Sequence, residues 1–357
     1  AGDAGSRYKA GSQSFPGFSL SDAGATQRDV EAAYLDLALS PTEALQLDVA
    51  GRAEQYSDFG SAVVGKLAGR LALDERYALR ATVSNGFRAP TLAEGRYSAT
   101  NVQPNSAFVQ LPPNSAAARL IGIDPLRPEK STNLSIGLVA RTAQSVKFSL
   151  DLYQISVRDR IVGSGTLYGT YAGNLLSSAV NAAIVANGNV LEAVPFSGIN
   201  VFTNGVDTRT RGADFVLSWG ATLGKGHVNG FFAANYNSTQ VTHIKATPAA
   251  LAASGQKLFD AVAISTLETA SPRFKTTLAG TYAQGPLSLR LRNTLYGQSS
   301  RYADPGDGNY YLDRTGTKLI TDLDLAWRVS GRVTLSAGAN NLFNVFPNRV
   351  NAAGLAA

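Results

Sequence analysis

The chain has 357 residues, a formal net charge of +6, 16% charged residues, 35 Gly, 14 Tyr and 15 Phe, and neither Cys nor Met. Disulfides, thiolate metal sites and a Cys nucleophile are excluded, and no run of about 18 apolar residues is present to form a transmembrane helix. Lys and Arg are scattered rather than interleaved with aromatics, so nothing marks a nucleic-acid surface; with no Met, Ala1 reads as the start of a piece of something longer.

Apolar and polar residues alternate with period two in roughly twelve windows, each near the 9 to 11 residues that a tilted strand needs to cross a bilayer. In chain order they are 28–39, 43–54, 62–72, 77–87, 131–141, 145–158, 208–219, 226–238, 273–283, 286–298, 319–329 and 332–344. Leu35, Leu37 and Leu39 alternate with Asp36, and Leu79, Ala81 and Val83 with Arg80, Thr82 and Ser84. Later, Leu289 and Leu291 oppose Arg290 and Arg292, while Leu323, Leu325 and Trp327 oppose Asp322 and Asp324. Within 145–158 the apolar parity switches between Leu152 and Tyr153, which predicts either a bulge or the point where the strand leaves the apolar layer. Glu31, Arg209 and Arg211 stand on the apolar parity near expected strand ends, where a charge costs little.

The connections alternate as well. Short turns at 40–43, 74–76, 142–144, 284–285 and 330–331 take every second place, and between them lie long irregular segments at 88–130, 159–207, 239–272 and 299–318. Two short helices are predicted in these segments, at 114–122 with Asn114 as its cap and at 177–188 with Gly188 as its stop. Strand 77–87 is expected to end at "FRAP", because Pro90 cannot donate to a ladder and Arg88 reaches a wet zone.

Alternation alone fits a soluble sandwich equally well. Strands near eleven residues rather than about five or six, a polar parity of Ser, Thr, Asn and Gly, and Trp219, Tyr236, Tyr282, Trp327 and Phe343 at the ends of the apolar parity favour a membrane barrel. The fold class is therefore all-β, a transmembrane antiparallel up-and-down β-barrel with long extracellular loops.

Eight stretches, in order, carry a family resemblance: "GRAEQYSDFGS" (51–61), "GKLAGRLAL" (65–73), "ALRATVSNGFRAPTLAE" (78–94), "PLRPEKSTNLSIGL" (125–138), "LDLYQISVRDRIVGSG" (150–165), "TRGADFVLSW" (210–219), "SPRFKTTL" (271–278) and "NNLFNVFPNR" (340–349). Together they resemble the C-terminal barrel portion of TonB-dependent outer-membrane receptors of the iron-complex type. The resemblance implies a barrel of about 22 strands, of which residues 1–357 match about 12, roughly the tenth to the twenty-first, as a partial and open sheet with no plug domain and no final strand.

The resemblance further implies the bacterial outer membrane, lipid around the wall, a TonB complex acting through a plug and TonB box, a monomer when complete, and capture of a small extracellular ligand such as a ferric siderophore. Aromatic and Arg side chains from the outer loops are expected to reach an anionic or aromatic iron chelate. The candidates are Arg96, Tyr97, Tyr168, Tyr171, Arg301, Tyr302, Tyr310 and Tyr311.

No catalytic pattern competes with this reading. A Gly-x-Ser-x-Gly elbow, a Walker loop and a dinucleotide fingerprint are missing, and His227 and His243 lack metal-hydrolase spacing. Neither a cofactor nor a resident metal is expected. Asp304, Asp307, Asn309 and Asp313 offer oxygens at a spacing unlike an EF-hand loop and read as a turn-rich loop. Two other classes stay open: a passive outer-membrane channel or adhesion barrel without energy coupling, and a soluble carbohydrate-binding β-protein, which would need no detergent.

Overall fold

A computed structural model describes residues 24–348 apart from 104, 144, 192–193 and 305–308. Every strand expected from alternation forms. The chain begins with β1 (Val30–Leu39), β2 (Leu45–Tyr56), β3 (Gly60–Ala72) and β4 (Tyr77–Arg88). The first long segment holds α1 (Leu92–Arg96), β5 (Ala99–Gln103), β6 (Ser106–Leu111) and α2 (Ala116–Leu120) before β7 (Glu129–Ala143) and β8 (Val146–Gly163). The second holds β9 (Leu167–Tyr171), β10 (Asn174–Leu175) and α3 (Ser178–Ala186), and leads to β11 (Phe196–Leu223) and β12 (Gly226–Ile244). The third holds α4 (Ala249–Ala252) and α5 (Ala261–Glu268), followed by β13 (Phe274–Gln284) and β14 (Leu287–Tyr296). Finally β15 (Ser299–Ala303) and β16 (Tyr311–Thr315) form a hairpin of their own before β17 (Lys318–Arg328) and β18 (Thr334–Ala339).

The main path runs β1-β2-β3-β4-β7-β8-β11-β12-β13-β14-β17-β18, antiparallel throughout. Among the described residues β1 pairs only with β2 and β18 only with β17, so the barrel is partial and unclosed. Among the described residues no helix is long and apolar enough to cross a membrane.

Register puts the apolar parity of each strand on one wall. Leu79 pairs Leu71 and Leu138, Ile136 pairs Ala81 and Leu152, and Leu289 pairs Tyr282 and Leu325. These side chains meet no second sheet: Leu35 is 62% exposed, Ile136 56% and Leu325 50%. A soluble sandwich would bury this face, so acyl chains are its natural solvent. Trp219, Tyr282 and Trp327 stand within a few residues of the short turns, and Tyr236 pairs Phe274 toward the other end. Val228 to Tyr236 is eight residues along β12, about 27 Å of strand, comparable with an apolar band about 25 Å tall. Phe343 lies beyond β18.

The parity switch at Leu152 and Tyr153 is not a bulge, since pairing to β7 and β11 continues through both residues without a shift. It marks the top of the apolar layer. Gln154 pairs Arg211 in register, and Arg211 Nε donates to Gln154 Oε1 at 2.7 Å on the outer wall. Arg209 and Arg211 sit mid-strand because β11 begins at Phe196, well before the expected 208.

The dry core lies above the barrel. Val109, Leu111, Ile121, Leu167, Ile184 and Ile199, with Leu251 and Leu258, pack with almost no exposure among the loop strands, the start of β11 and α2 to α4. Each such side chain contributes about 1.5–3 kcal/mol relative to exposure. β6 joins β11 in parallel, which brings the first and second long segments into one sheet. In α2 the cap is Ser115, whose Oγ accepts from Ala118 N at 3.2 Å; the expected cap, Asn114, instead accepts from Leu126 N at 2.9 Å. In α3 the expected stop holds, with Gly188 at φ +87° after Asn187.

Candidate functional site

Strand β4 ends where the sequence predicts, and Arg88 is the knot. Its Nε and one terminal nitrogen donate to Glu129 at 3.0 and 2.7 Å, while the other terminal nitrogen reaches both oxygens of Glu94 at 2.9 Å. Glu94 completes a capping box with Thr91 at the start of α1. Burial pushes the Glu94 carboxyl up, but the Arg88 guanidinium and the Thr91 N–H and hydroxyl outweigh it and hold it below its ordinary value. Glu129 also accepts from Ile161 N at 2.7 Å, so one charge network ties β4, β7, β8 and the first long loop together.

The loops line a partly open cavity of about 900 Å³. One wall is the β9 hairpin, with Tyr168 and Tyr171 edge-to-face at 5.0 Å. Another part of the lining is Tyr302 of β15 and Tyr310 just before β16, whose rings are 6.5 Å apart at 76°. Gln256, Phe259 and the residues of α5 fill in between.

Each wall is held by side-chain bonds to backbone. Gln256 accepts from Tyr168 N and donates to Tyr168 O at 2.8 Å, acting as an extra rung beside β9. Asp260 caps α5 by accepting from Ala263 N at 2.8 Å, and a Cβ on Gly165 would come within 2.6 Å of its carboxylate, so a side chain there would have to displace the cap. Ser265 Oγ accepts from Tyr302 N at 2.9 Å, Thr269 Oγ1 donates to Ser300 O at 2.6 Å, and Glu268 accepts from Val241 N at 2.7 Å. Thus α5 is stapled to both β15 and β12.

The phenols sense this environment. Burial first, then the Asp304 carboxylate, pushes Tyr168 up to about 12. Burial, then Asp260 and Asp304, raises Tyr310.

Of the eight expected ligand residues, Tyr168, Tyr171, Tyr302 and Tyr310 line one cavity, whereas Arg96, Tyr97, Arg301 and Tyr311 do not line it. Arg96 ends α1 and Tyr97 is its C-cap, donating its N–H to Ala93 O. Arg301 pairs Asp313 and Tyr311 pairs Ala303 within the β15–β16 hairpin, each next to a residue that turns the other way. The lining that the sequence reading missed is Gln256, Phe259, Asp260 and Glu268; Asp260 ahead of the apolar run "AVAI" was a legible helix start.

Among the described residues no group of three or more His, Asp or Glu side chains is placed to hold a metal ion. Of the four residues read as a turn-rich loop, Asp304 and Asn309 flank residues outside the described ones, Asp307 lies among these, and Asp313 is in β16.

Strands of membrane length with an exposed apolar wall, trimmed turns at one end and a structured loop head at the other are the features of an outer-membrane β-barrel. The family described as TonB dependent receptor-like, beta-barrel, matches residues 2–342, and the chain belongs to it. Over 119 residues it is 29% identical to an iron-regulated outer membrane virulence protein of Vibrio cholerae, a match covering 33% of this chain and 16% of that protein. A mutant of the ferric enterobactin receptor PfeA from Pseudomonas aeruginosa superposes with a TM-score of 0.60 at 17% identity, over 94% of this chain and 42% of that one. The siderophore receptor PirA from Acinetobacter baumannii gives 0.60 at 16% identity, over 91% and 44%. The chain therefore spans less than half the length of these solved receptors. Residence in the bacterial outer membrane follows from the family and the wall.

Proposed function

We propose that the chain forms part of a receptor for TonB-energised uptake of a scarce nutrient, a ferric siderophore or another iron complex. The loop head captures the ligand from outside, and movement of a plug by the TonB complex admits it; the barrel makes and breaks no bonds. The observation that carries this reading is the cavity between Tyr168–Tyr171 and Tyr302–Tyr310, whose volume of about 900 Å³ suits a chelate-sized molecule. The family, the iron-regulated relative and the siderophore receptors of like fold support the ligand class.

Uptake tests it directly. The gene carrying this chain is expressed in cells unable to make their own siderophores, and radioiron accumulation from ferric chelates is followed with and without TonB. Accumulation that requires both the gene and TonB is expected. Entry that continues without TonB would favour a passive channel, and adhesion without entry would favour an adhesion barrel.

A further inference from the structure

We propose that the loop cavity selects a positively charged ligand, which on the iron-uptake reading above means a ferric chelate bearing an ammonium or guanidinium arm. Among the described residues the lining includes three that carry carboxylates, Asp260, Glu268 and Asp304, and one that carries an ammonium, Lys257. Neither Arg96 nor Arg301, the cations expected to meet an anionic chelate, is among them. Tyr168, Tyr171, Tyr302 and Tyr310 line it as well, and the faces of tyrosine rings attract cations and repel anions. The apolar parts of the walls strengthen such a field.

The arrangement is built rather than incidental. Asp260 is fixed as the cap of α5 by the Ala263 N–H, and Glu268 is fixed at the other end of the same helix by the Val241 N–H. Both carboxylates are thus held on one short helix along the wall between the two tyrosine pairs. The negative field acts on those tyrosines too, since Asp304 raises both Tyr168 and Tyr310 beyond what burial does. An anionic chelate entering here meets like charge at three places, whereas a cationic arm meets carboxylate and π density together.

The test uses outer-membrane vesicles bearing the protein, with vesicles lacking it as background. Three radioiron-labelled linear trihydroxamates share one ferric core and differ only in the terminal amine: free and cationic, acetylated and neutral, or succinylated and anionic. Labelled benzyltrimethylammonium serves as an iron-free cation. Affinity is expected to fall from cationic to neutral to anionic chelate, by roughly tenfold or more overall. In the Asp260→Asn, Glu268→Gln double variant the span is expected to shrink to within about threefold, because amides keep the backbone acceptors but lose the charge. Equal or tighter binding of the succinylated chelate overturns this inference and leaves the iron reading standing. Binding of benzyltrimethylammonium with none of the chelates upholds charge selection and removes the iron reading. Failure of all four probes overturns both.

Discussion

Arg80 and Asp151 meet across an intervening strand: Arg80 Nε donates to Asp151 Oδ1 at 2.7 Å, and a second nitrogen pairs with the other carboxylate oxygen. Between them lies Gly137 of β7, in register with both. A Cβ at 137 would overlap the Asp151 carboxylate and crowd the Arg80 guanidinium, so glycine is what lets a lumenal ion pair span three strands.

Gly137→Val is accordingly expected to destabilise the sheet by about 1–3 kcal/mol through overpacking and a broken pair. Gly280→Ala is the control, since a Cβ there meets nothing within 4 Å. Denaturant midpoints of the two variants in detergent check this. Equal midpoints would mean that the bridge contributes nothing.

The lipid wall has its own test. Ile136 points to the outer face and is 56% exposed, whereas Ser149 shares the parity of Asp151 toward the lumen. Ile136→Arg is expected to cost about 2–4 kcal/mol and Ser149→Arg about 1 or less. Refolding into bilayers at graded urea measures both. Similar costs for the two would contradict acyl chains as the solvent of the Leu wall.

Arg88 holds Glu129 and Glu94 through a forked geometry that a lysine ammonium lacks. Arg88→Lys is expected to lose about 1.5–3 kcal/mol of local stability, the scale of hydrogen bonds to charged groups. Faster amide exchange over 89–98, with the β7–β8 ladder unchanged, is the expected signature. Unchanged exchange there would reduce Arg88 to a surface charge.

For Tyr168, a folded-state value of about 12 stands above the ordinary phenol value near 10. The stabilisation tied to its neutral form is then fully present below about pH 10 and is lost as pH rises through about 12. A phenolate absorbance titration of the protein minus that of Tyr168→Phe should show one hydroxyl with a midpoint near 12. A difference curve centred near 10 would place Tyr168 in open water.

The local rules of the chain were enough for the wall. A strand appears in each of the twelve windows that alternation marks, because facing two solvents is a property each strand carries by itself, though the last, expected over 332–344, is only the six residues of β18. The end of β4 at Arg88 was equally legible, since Pro90 denies the ladder a donor whatever else surrounds it. The upward extension of β11 from 208 to Phe196 was not, because its early residues alternate against loop strands rather than lipid and water.

What only the tertiary structure decided is the head. The family resemblance pointed to eight loop residues as ligand candidates, of which four share a cavity, and polar residues that position them come from elsewhere: Gln256 is 88 residues from the Tyr168 backbone it holds. Irregular segments have no period to announce which faces meet. Their partners are chosen by the shared burial of Leu111, Leu167, Ile199 and Leu258, a many-body packing of distant loops that no local pattern encodes. The charge of the cavity follows from the same cause, since Asp260 and Glu268 face it only because α5 is pinned between β12 and β15.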